Sequence, residues 1–397
     1  MALLDGTNAP SLLIEIDYGW RNIFTIGISS LNSSTDVLGG TSGTNWQTIA
    51  STDARSVSIR RGRTREDQTF QPGQMTIVLD NLSGNYDPGN SSSIYIWNGY
   101  SVLTRGTKIR VSATYGATTE YLFTGFIEQV TADQSLDPIS TIVATDALAI
   151  FGANSLSTIA SSYSGDTSSA RIARVISDFS VGSYPGTFST SLTGSRQMQP
   201  TTYGNTVLAL CEEAAACEFG TFFVNRAGVT TLISYENLKT QTMRFTLSDD
   251  RSTGTIEYDV IQTDPGARFM INTCNLTQYS GHVQTATNAI VTARFGTYTR
   301  NVTAPLLNDS DASTMAGYYA TRTQYPITRI DRVEFDAIGL GTIWANVLPA
   351  DIGDRATIVR TTVDSRSLNF INIIESISHD ITPDSWRIGL DLSPSTF

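Results

Sequence analysis

The feature that most constrains this chain lies at its C-terminal end, from Gly353 to Ser393. Three runs follow one another there: Arg355-Ala-Thr-Ile-Val, Leu368 to Ile377 and, after a Pro383-Asp384 turn, Trp386 to Leu392. In the last run Trp386, Ile388, Leu390 and Leu392 alternate with Arg387, Gly389 and Asp391. Apolar residues at a period of two mark a half-buried antiparallel strand. The same plan occurs once before, 247 residues upstream. Gly106 matches Gly353, Lys108 matches Arg355, Val111 matches Ile358, Phe123 matches Phe370 and Val130 matches Ile377. The Ile127-Glu128 pair stands where Ile374-Glu375 stands, and Asp137-Pro138 where Pro383-Asp384 does. Ile139, Thr141 and Val143 then match Trp386, Ile388 and Leu390 with no gap. This self-similarity implies an internal duplication, two related β-domains in one chain.

The rest of the chain fits around that pair. Strand patterns are read at Ser11–Tyr18, Asn22–Ile28, Trp46–Arg61, Gly73–Asp80, Leu103–Val111, Glu120–Val130 and Ile139–Ala144, with a long polar loop at 29–45. The middle changes period. Ile172, Val175, Ile176 and Phe179 share a helical face, with Ser168 or Ser169 as N-cap. Asn205–Glu218 forms a second helix, and Thr221–Ile233 a hairpin turning at Arg226-Ala227-Gly228. Strands are expected again at Ile256–Val260, Ala267–Thr277 and Arg329–Ala337. A helix over Asp309–Gln324, capped by Asp309 or Ser310, is stopped by Pro326. Loops at 29–45 and 155–168 are expected to contact partners. The expected fold is therefore mainly β (α+β): antiparallel β-domains at 1–150 and 240–397, flanking a small α/β domain at 151–239.

Composition narrows the function. With 397 residues and 40% hydrophobic content the chain can bury cores for two or three domains. Charged residues are only 16%, and the net charge is -11. A nucleic-acid binder would carry a basic excess, so affinity for DNA or RNA is not expected; the opposite role, an acidic wall that DNA passes without sticking, stays open. Cys211, Cys217 and Cys274 form neither a CxxC pair nor an even framework and read as reduced, buried side chains. No apolar run reaches membrane-spanning length, and the N-terminus lacks a signal-peptide pattern, so assembly in the cytoplasm is expected.

The search for chemistry finds little. His282 and His379 each stand alone, without a second ligand at metal spacing, so no metal or cofactor is expected. His379-Asp380 could be a general base with its orienting carboxylate, but no nucleophile motif accompanies it, and a turn histidine on a sheet rim is preferred. Glu128 and Glu375 invite comparison with a glycosidase pair. Their equivalent places in two repeats would hold them far apart, and a structural role facing a neighbouring strand or subunit is favoured. Arg55, Arg60, Arg61, Arg63 and Arg65 form the one basic cluster. In an acidic chain it suits a subunit interface where arginine forks meet carboxylates, a solvated loop being the equal alternative. The candidate interface residues are Arg60, Arg61, Arg63, Arg65, Glu128 and Glu375. Asp80 and Asp87 do not have EF-hand spacing and read as turn residues.

Several stretches together resemble the tail-hub proteins of tailed bacteriophages, also called minor tail, tail-tip or baseplate hub proteins. They are Arg61-Gly62-Arg63, Ile77–Asn81 with Gly84 and Asp87-Pro88, Thr124-Gly125-Phe126-Ile127, Leu210–Gly228, the helix near Asp311, and Ile374–Asp380 through Trp386 to Ser393. They run in the expected order over most of the chain. The resemblance implies two tube-like β-barrel domains per chain and a homotrimer whose six barrels match a six-fold tail tube. It implies a tail tube or distal tail protein above, tip, spike or fibre proteins below, a tape measure protein in the lumen, and DNA passing during ejection without specific binding. The site would be the distal end of the virion tail. No catalytic residue is implied, since the chain shows no peptidase or fibre-like extension. The competing readings are a hexameric distal tail ring, a tail-associated cell-wall hydrolase and a carbohydrate-binding β-protein.

Overall fold

The computed structural model describes residues 9–17, 46–97, 99–133, 135–156, 165–183, 188–201, 204–250, 254–362, 364 and 366–395. The strand read at Asn22–Ile28 and the loop at 29–45 lie outside them, as does much of the loop at 155–168.

The first half builds β1 (Ser11–Asp17), β2 (Trp46–Ile49), β3 (Ala54–Gly62), β4 (Gln71–Asp80), the short pair β5 (Ile96–Trp97) and β6 (Tyr100–Ser101), then β7 (Lys108–Tyr115), β8 (Thr118–Ala132) and β9 (Ile139–Thr145). The middle contributes α1 (Ala147–Ala153), α2 (Ser168–Ser183), β10 (Thr190–Leu192), α3 (Val207–Ala216), β11 (Thr221–Val224), β12 (Thr230–Ile233) and α4 (Tyr235–Leu238). The second half carries β13 (Met243–Ser248), β14 (Ile256–Glu257), β15 (Val260–Asp264), β16 (Thr273–Gln278), β17 (Val283–Thr287), α5 (Ala289–Phe295), β18 (Thr299–Ala304) and α6 (Asp309–Arg322). It ends with β19 (Arg329–Asp336), α7 (Trp344–Val347), β20 (Arg355–Thr361), β21 (Ser367–Thr382) and β22 (Ser385–Pro394). The protein is mainly β, with helices α1 to α4 in the middle and α5 to α7 interspersed among the strands of the second half.

Strand order repeats. In the first half neighbouring strands run β2-β1-β7-β8-β9-β4-β3; in the second they run β14-β13-β20-β21-β22-β19-β15. Numbered in chain order among the strands of the large sheet alone, which leaves out β5, β6 and β16 to β18, each half has the same sequence. A single row of paired residues shows the registers agree. Val130, Ile142, Ile77 and Val57 lie abreast on β8, β9, β4 and β3, as Ile377, Leu390, Val333 and Ile261 do on β21, β22, β19 and β15. The halves differ in one strand direction, since β1 runs antiparallel to β7 whereas β13 runs parallel to β20.

This register corrects the gap-free sequence match. Val130 pairs with Ile142 and Ile377 with Leu390, so Leu390 corresponds to Ile142 and not to Val143. The displacement of 247 residues holds for β7 and β8, where Gly106 N–H donates to the Ile127 carbonyl as Gly353 N–H does to that of Ile374. One residue must then be gained in the next turn. Burial agrees: Ile142 and Ala144 point inward on β9, as Leu390 and Leu392 do on β22. The half-buried expectation for β22 also fails beyond Ile388, because Gly389 and Asp391 are buried too. Arg332 crosses that face, where a Cβ on Gly389 would press into its guanidinium, and binds Asp391 at 2.8 Å.

Other boundaries shift for local reasons. The run Trp46–Arg61 is broken by a short 3₁₀ turn at Ser51–Asp53. Pairing of β7 begins only at Lys108, after a turn that ends at Gly106 with φ +88. The strand expected from Ala267 begins at Thr273, because Gly266, at φ +77, leads into a 3₁₀ turn over Ala267–Phe269. At the start of α2 the Thr167 hydroxyl accepts from Ala170 N–H, while Ser168 donates to the buried Glu218. At α6 the N-cap is Asn308, not Asp309 or Ser310.

Two apolar cores result. One runs through both halves of the large sheet and includes Ile77, Ile142, Phe335, Leu390, Trp344 and Trp386. The two tryptophan rings lie 4.8 Å apart, so α7 plugs the second half's sheet. The other core lies under α1, α2, α3 and α6 with β11, β12, β16 and β18. It holds Cys211, Cys217 and Cys274, all free and buried. Burying an apolar side chain contributes roughly 1.5–3 kcal/mol, so each core outweighs any single polar contact described below.

Candidate functional site: the seam between the halves

The two halves of the large sheet join at one place. β21 is long enough to serve two neighbours on one edge: Ser367–Ile373 pairs with β20, and Ser376–Ile381 pairs antiparallel with β3. Its opposite edge pairs with β22. Across the seam Ser376 faces Gly62, Ser378 faces Arg60, Asp380 faces Ser58 and Ile381 faces Val57. Gly62 sits at φ +110, and a Cβ there would overlap the Glu375 carbonyl oxygen. Only glycine tolerates both the dihedral and the approach.

Between the pairings with β20 and β3, β21 carries a bulge at Glu375. A bulge puts an extra residue into the strand and re-aims its side chain. Glu375 is 1% exposed. Its carboxylate accepts from Arg63 Nε at 2.7 Å and from the Ser393 hydroxyl, while Arg63 N–H donates to its carbonyl at 3.0 Å. The Arg63 guanidinium also lies 4.5 Å from the Phe70 ring centre.

The basic cluster spreads along this seam. Arg61 is buried, binding Asp351 at 2.8 Å and the Leu122 carbonyl at 3.1 Å. Arg60, more exposed, reaches Asp391 at 3.4 Å. Ser58 donates to Asp380 at 2.6 Å. Arg65 turns away to Asp67 at 3.3 Å. Arg60, Arg61 and Arg63 thus meet carboxylates of their own chain's second half, with Glu375 among them. Arg55 pairs with Asp80 and Asp137 at the far end of β3.

Sequence reasoning missed Glu66, which follows the arginines directly. Burial works to raise its pKa, but Arg322 and Arg329, at 3.1 and 2.9 Å, outweigh it and hold the carboxyl below its ordinary value. It anchors the loop after β3 to the second half. Glu218 was missed as well. Fully buried, it accepts from Ser168, from the Ser195 and Arg196 N–H groups and from the Arg196 guanidinium. An acidic residue just past the end of an apolar helix carries no sequence signal for such a role.

Glu128 occupies the equivalent bulge on β8. Its surroundings differ. Its side chain is 44% exposed and pairs at 2.7 Å with Arg105, itself 74% exposed. β8 pairs with β7 through Thr118–Phe126; along that edge, no described strand pairs with Gln129–Ala132. Glu128 and Glu375 lie on strands separated by β9, β4 and β3, roughly 19 Å at the usual strand spacing. That exceeds the widest separation of glycosidase carboxylates, about 9.5 Å.

Packing explains one of the two histidines. His379 is not on a rim but within β21, where its Nδ1 accepts from Trp386 Nε1 at 3.2 Å. Burial, reinforced by the charge of Arg61, lowers it to about 3. Asp380 is engaged by Ser58 and does not orient it. A base that weak stays neutral near pH 7 and is poorly matched to proton abstraction there. His282 is exposed, 3.4 Å from Asp309. Among the described residues no group of three or more His, Cys, Asp or Glu is placed to hold a metal, and no helix is long and apolar enough to cross a membrane.

No protein-family model matches the chain, and no curated protein sequence matches it. Solved structures do. The tail protein from Neisseria meningitidis MC58 superposes with a TM-score of 0.61 at 10% identity, covering 97% of this chain and 96% of that one. The 43 kDa tail protein of prophage MuSo2 from Shewanella oneidensis gives 0.60 at 9% identity, covering 98% and 99%. The chain has the fold of phage tail proteins. Prophage tail protein gp18 from Listeria monocytogenes EGD-e adds a third example, with a TM-score of 0.51, 11% identity and coverage of 96% and 94%. For this phage-tail fold the coverage is nearly complete in both directions, so the likeness extends to the middle helices as well as the large sheet.

Proposed function

We propose that this chain is a structural, non-enzymatic component of a phage tail, the hub that joins a six-fold tail tube to a three-fold tip. The observation that carries the reading is the repeated strand order, with the second repeat set beside the first through β3 and β21. A chain with two tube-like barrel repeats would make six of them in a homotrimer, which would resolve the symmetry mismatch between tube and tip. The first repeat would take residues 1–150 and the second 240–397, with 151–239 between them. A hexameric distal ring needs one repeat per chain and is disfavoured for that reason. A tail-borne hydrolase is disfavoured by the neutral His379 and the separation of Glu128 from Glu375.

In this position the ring would line the DNA channel. The net charge of -11 suits a wall that repels phosphates, so that DNA slides through during ejection. A tail tube or distal tail protein would sit above, tip, spike or fibre proteins below, and a tape measure protein within the lumen. The test is native mass spectrometry of the purified protein across concentration, together with imaging of assembled tails. Three copies at the distal end support the hub; six copies transfer the reading to the distal ring.

A further inference from the structure

The internal seam has an unused counterpart. β21 receives β3 along Ser376–Ile381, yet the matching stretch of β8, beginning at Gln129, receives no strand among the described residues. β3 offers its outer edge to β21, yet among the described residues β15 pairs only with β19, and no strand lies on its outer edge. One chain therefore holds one completed seam and the two halves of a second. An open strand edge exposes a row of N–H and C=O groups that template pairing with another strand. We infer that β8 of one copy and β15 of the next pair antiparallel, closing the ring through Gln129–Asp133 and Gln262–Asp264. This deepens the trimeric reading and rests on it.

The register follows from the residues that lie abreast. Ile261 corresponds to Val57 through the row described above, so Gln262 corresponds to Ser58. The displacement of 247 that relates β21 to β8 makes Asp133 the counterpart of Asp380. Ser58 faces Asp380 in the internal seam and donates to it at 2.6 Å. In the second seam Gln262 faces Asp133, again a donor against a carboxylate. Beyond Gln262 a register shift in the β15–β19 ladder brings Thr263 opposite Ile330. Ile330 stands where Gln74 stands, so Thr263 takes the place of Arg60 and faces Thr131.

The bulge supplies a second match. Glu375 is buried because Arg63, just past the end of β3, covers it at 2.7 Å. Glu128, in the equivalent bulge on β8, is partly exposed, and its ion-pair partner among the described residues is the exposed Arg105. Just past the end of β15 stands Arg268, 59% exposed and spending its charge on Asp264 at 2.6 Å within its own segment. In the closed ring Arg268 turns to Glu128 of the neighbouring copy, as Arg63 does to Glu375. Occupants other than a second copy lack this correspondence of bulge, donor and strand order.

The experiment is disulfide capture. Facing residues in an antiparallel pair place their Cα atoms within disulfide range. The double variant Asp133→Cys, Gln262→Cys is oxidised and run under denaturing, non-reducing conditions; the three native thiols are buried and do not compete. The expected result is a ladder ending at three covalently joined chains, absent from either single variant. In parallel, Glu128→Arg should raise the concentration at which trimers form by about tenfold, and Glu128→Arg, Arg268→Glu should restore it. Trimers without the 133–262 bridge overturn this seam and leave the hub reading standing. A bridge that stops at two chains, or extends past three, supports the seam and overturns the trimer. Monomers throughout, with no bridge even on assembled tails, overturn both.

Discussion

Replacing Arg63 by Met leaves the Glu375 carboxylate buried at the seam without its cation. Glu375 is 1% exposed, and Arg63 is 11% exposed at the side chain. Breaking a buried pair by removing one partner costs about 3–5 kcal/mol, because the remaining charge is left uncompensated. Here the cost falls near the lower end, about 3 kcal/mol, since the Ser393 hydroxyl still donates to Glu375. Arg63 also gives up its hydrogen bond to the Gln68 carbonyl at 3.1 Å and its position over Phe70. The Glu128→Gln variant is the internal comparison, because it removes the chemically similar but exposed pair with Arg105, which is worth about 0–1 kcal/mol. Urea unfolding followed by tryptophan fluorescence would read both, with the two variants compared in the single-chain form. The double variant Arg63→Met, Glu375→Met should recover most of the loss, since an apolar replacement for a buried ion pair is often close to neutral. A loss below about 1 kcal/mol for Arg63→Met, or no recovery in the double variant, would refute the view that the bulge carboxylate depends on this arginine.

Three further outcomes follow from the same geometry. Gly62→Ala should destabilise the chain by about 2 kcal/mol or more, because a Cβ there strains the backbone and overlaps the Glu375 carbonyl, whereas Gly116→Ala, at φ +60 in open space, should cost only about 1 kcal/mol; thermal unfolding of the pair decides. Asp146 is raised to about 7 by burial, against the lowering effect of the Gly73 and Leu148 N–H groups and Arg61. Its folded pKa therefore lies above its unfolded value, so the stability it contributes is complete below about pH 4 and is lost as pH rises through 7. Asp146→Asn, which still caps α1, should flatten that decline in a stability–pH series, and an unchanged slope would count against it. Ellman's reagent should find no reactive thiol in the native protein and three after unfolding, because burial raises the pKa of Cys211, Cys217 and Cys274; rapid native reaction would contradict their packing.

Much of the second half's sheet was legible because its last three strands are contiguous and strongly patterned. β20, β21 and β22 announce themselves, and so does their copy in β7, β8 and β9. Several of the other strands, such as those at Ser11–Tyr18, Gly73–Asp80 and Arg329–Ala337, were legible one by one, but not as members of the repeat. Between β15 and β19 the chain inserts β16, β17, α5, β18 and α6, so two strands adjacent in the sheet are far apart in sequence. The first half connects the corresponding β3 and β4 directly. Periodicity reports which face of a strand is buried, but not which strand lies beside it. For the same reason the arginines at 60, 61 and 63 were recognisable as fork donors, while their partners, Asp391, Asp351 and Glu375, lie about 300 residues away. The bulges at Glu128 and Glu375 left only an Ile-Glu pair in the sequence. That pair marked equivalent positions without disclosing that one is covered and the other open.

That difference bears on how a two-repeat chain assembles. The internal seam forms within one molecule, where linkage by the intervening chain supplies a high effective concentration. It is also stapled by the buried Arg63–Glu375 and Arg61–Asp351 pairs, which no neighbour needs to complete. The proposed second seam has the same backbone edges, but its charges, the exposed Arg105 with Glu128 and the exposed Arg268 with the largely covered Asp264, are already paired within the chain. To close it, Arg268 must exchange one carboxylate for another, so little net electrostatic energy is gained. Closure then depends on strand pairing and shape, and cooperative ring formation favours the third contact once two are made. In the proposed trimer, the single chain is accordingly expected to keep its fold with the second seam open, and the ring to close as copies are concentrated. A dilution series should separate the two seams: trimers dissociate to intact chains well before urea unfolds them, and dissociation coincident with unfolding would mean that the second seam is as integral to the fold as the first.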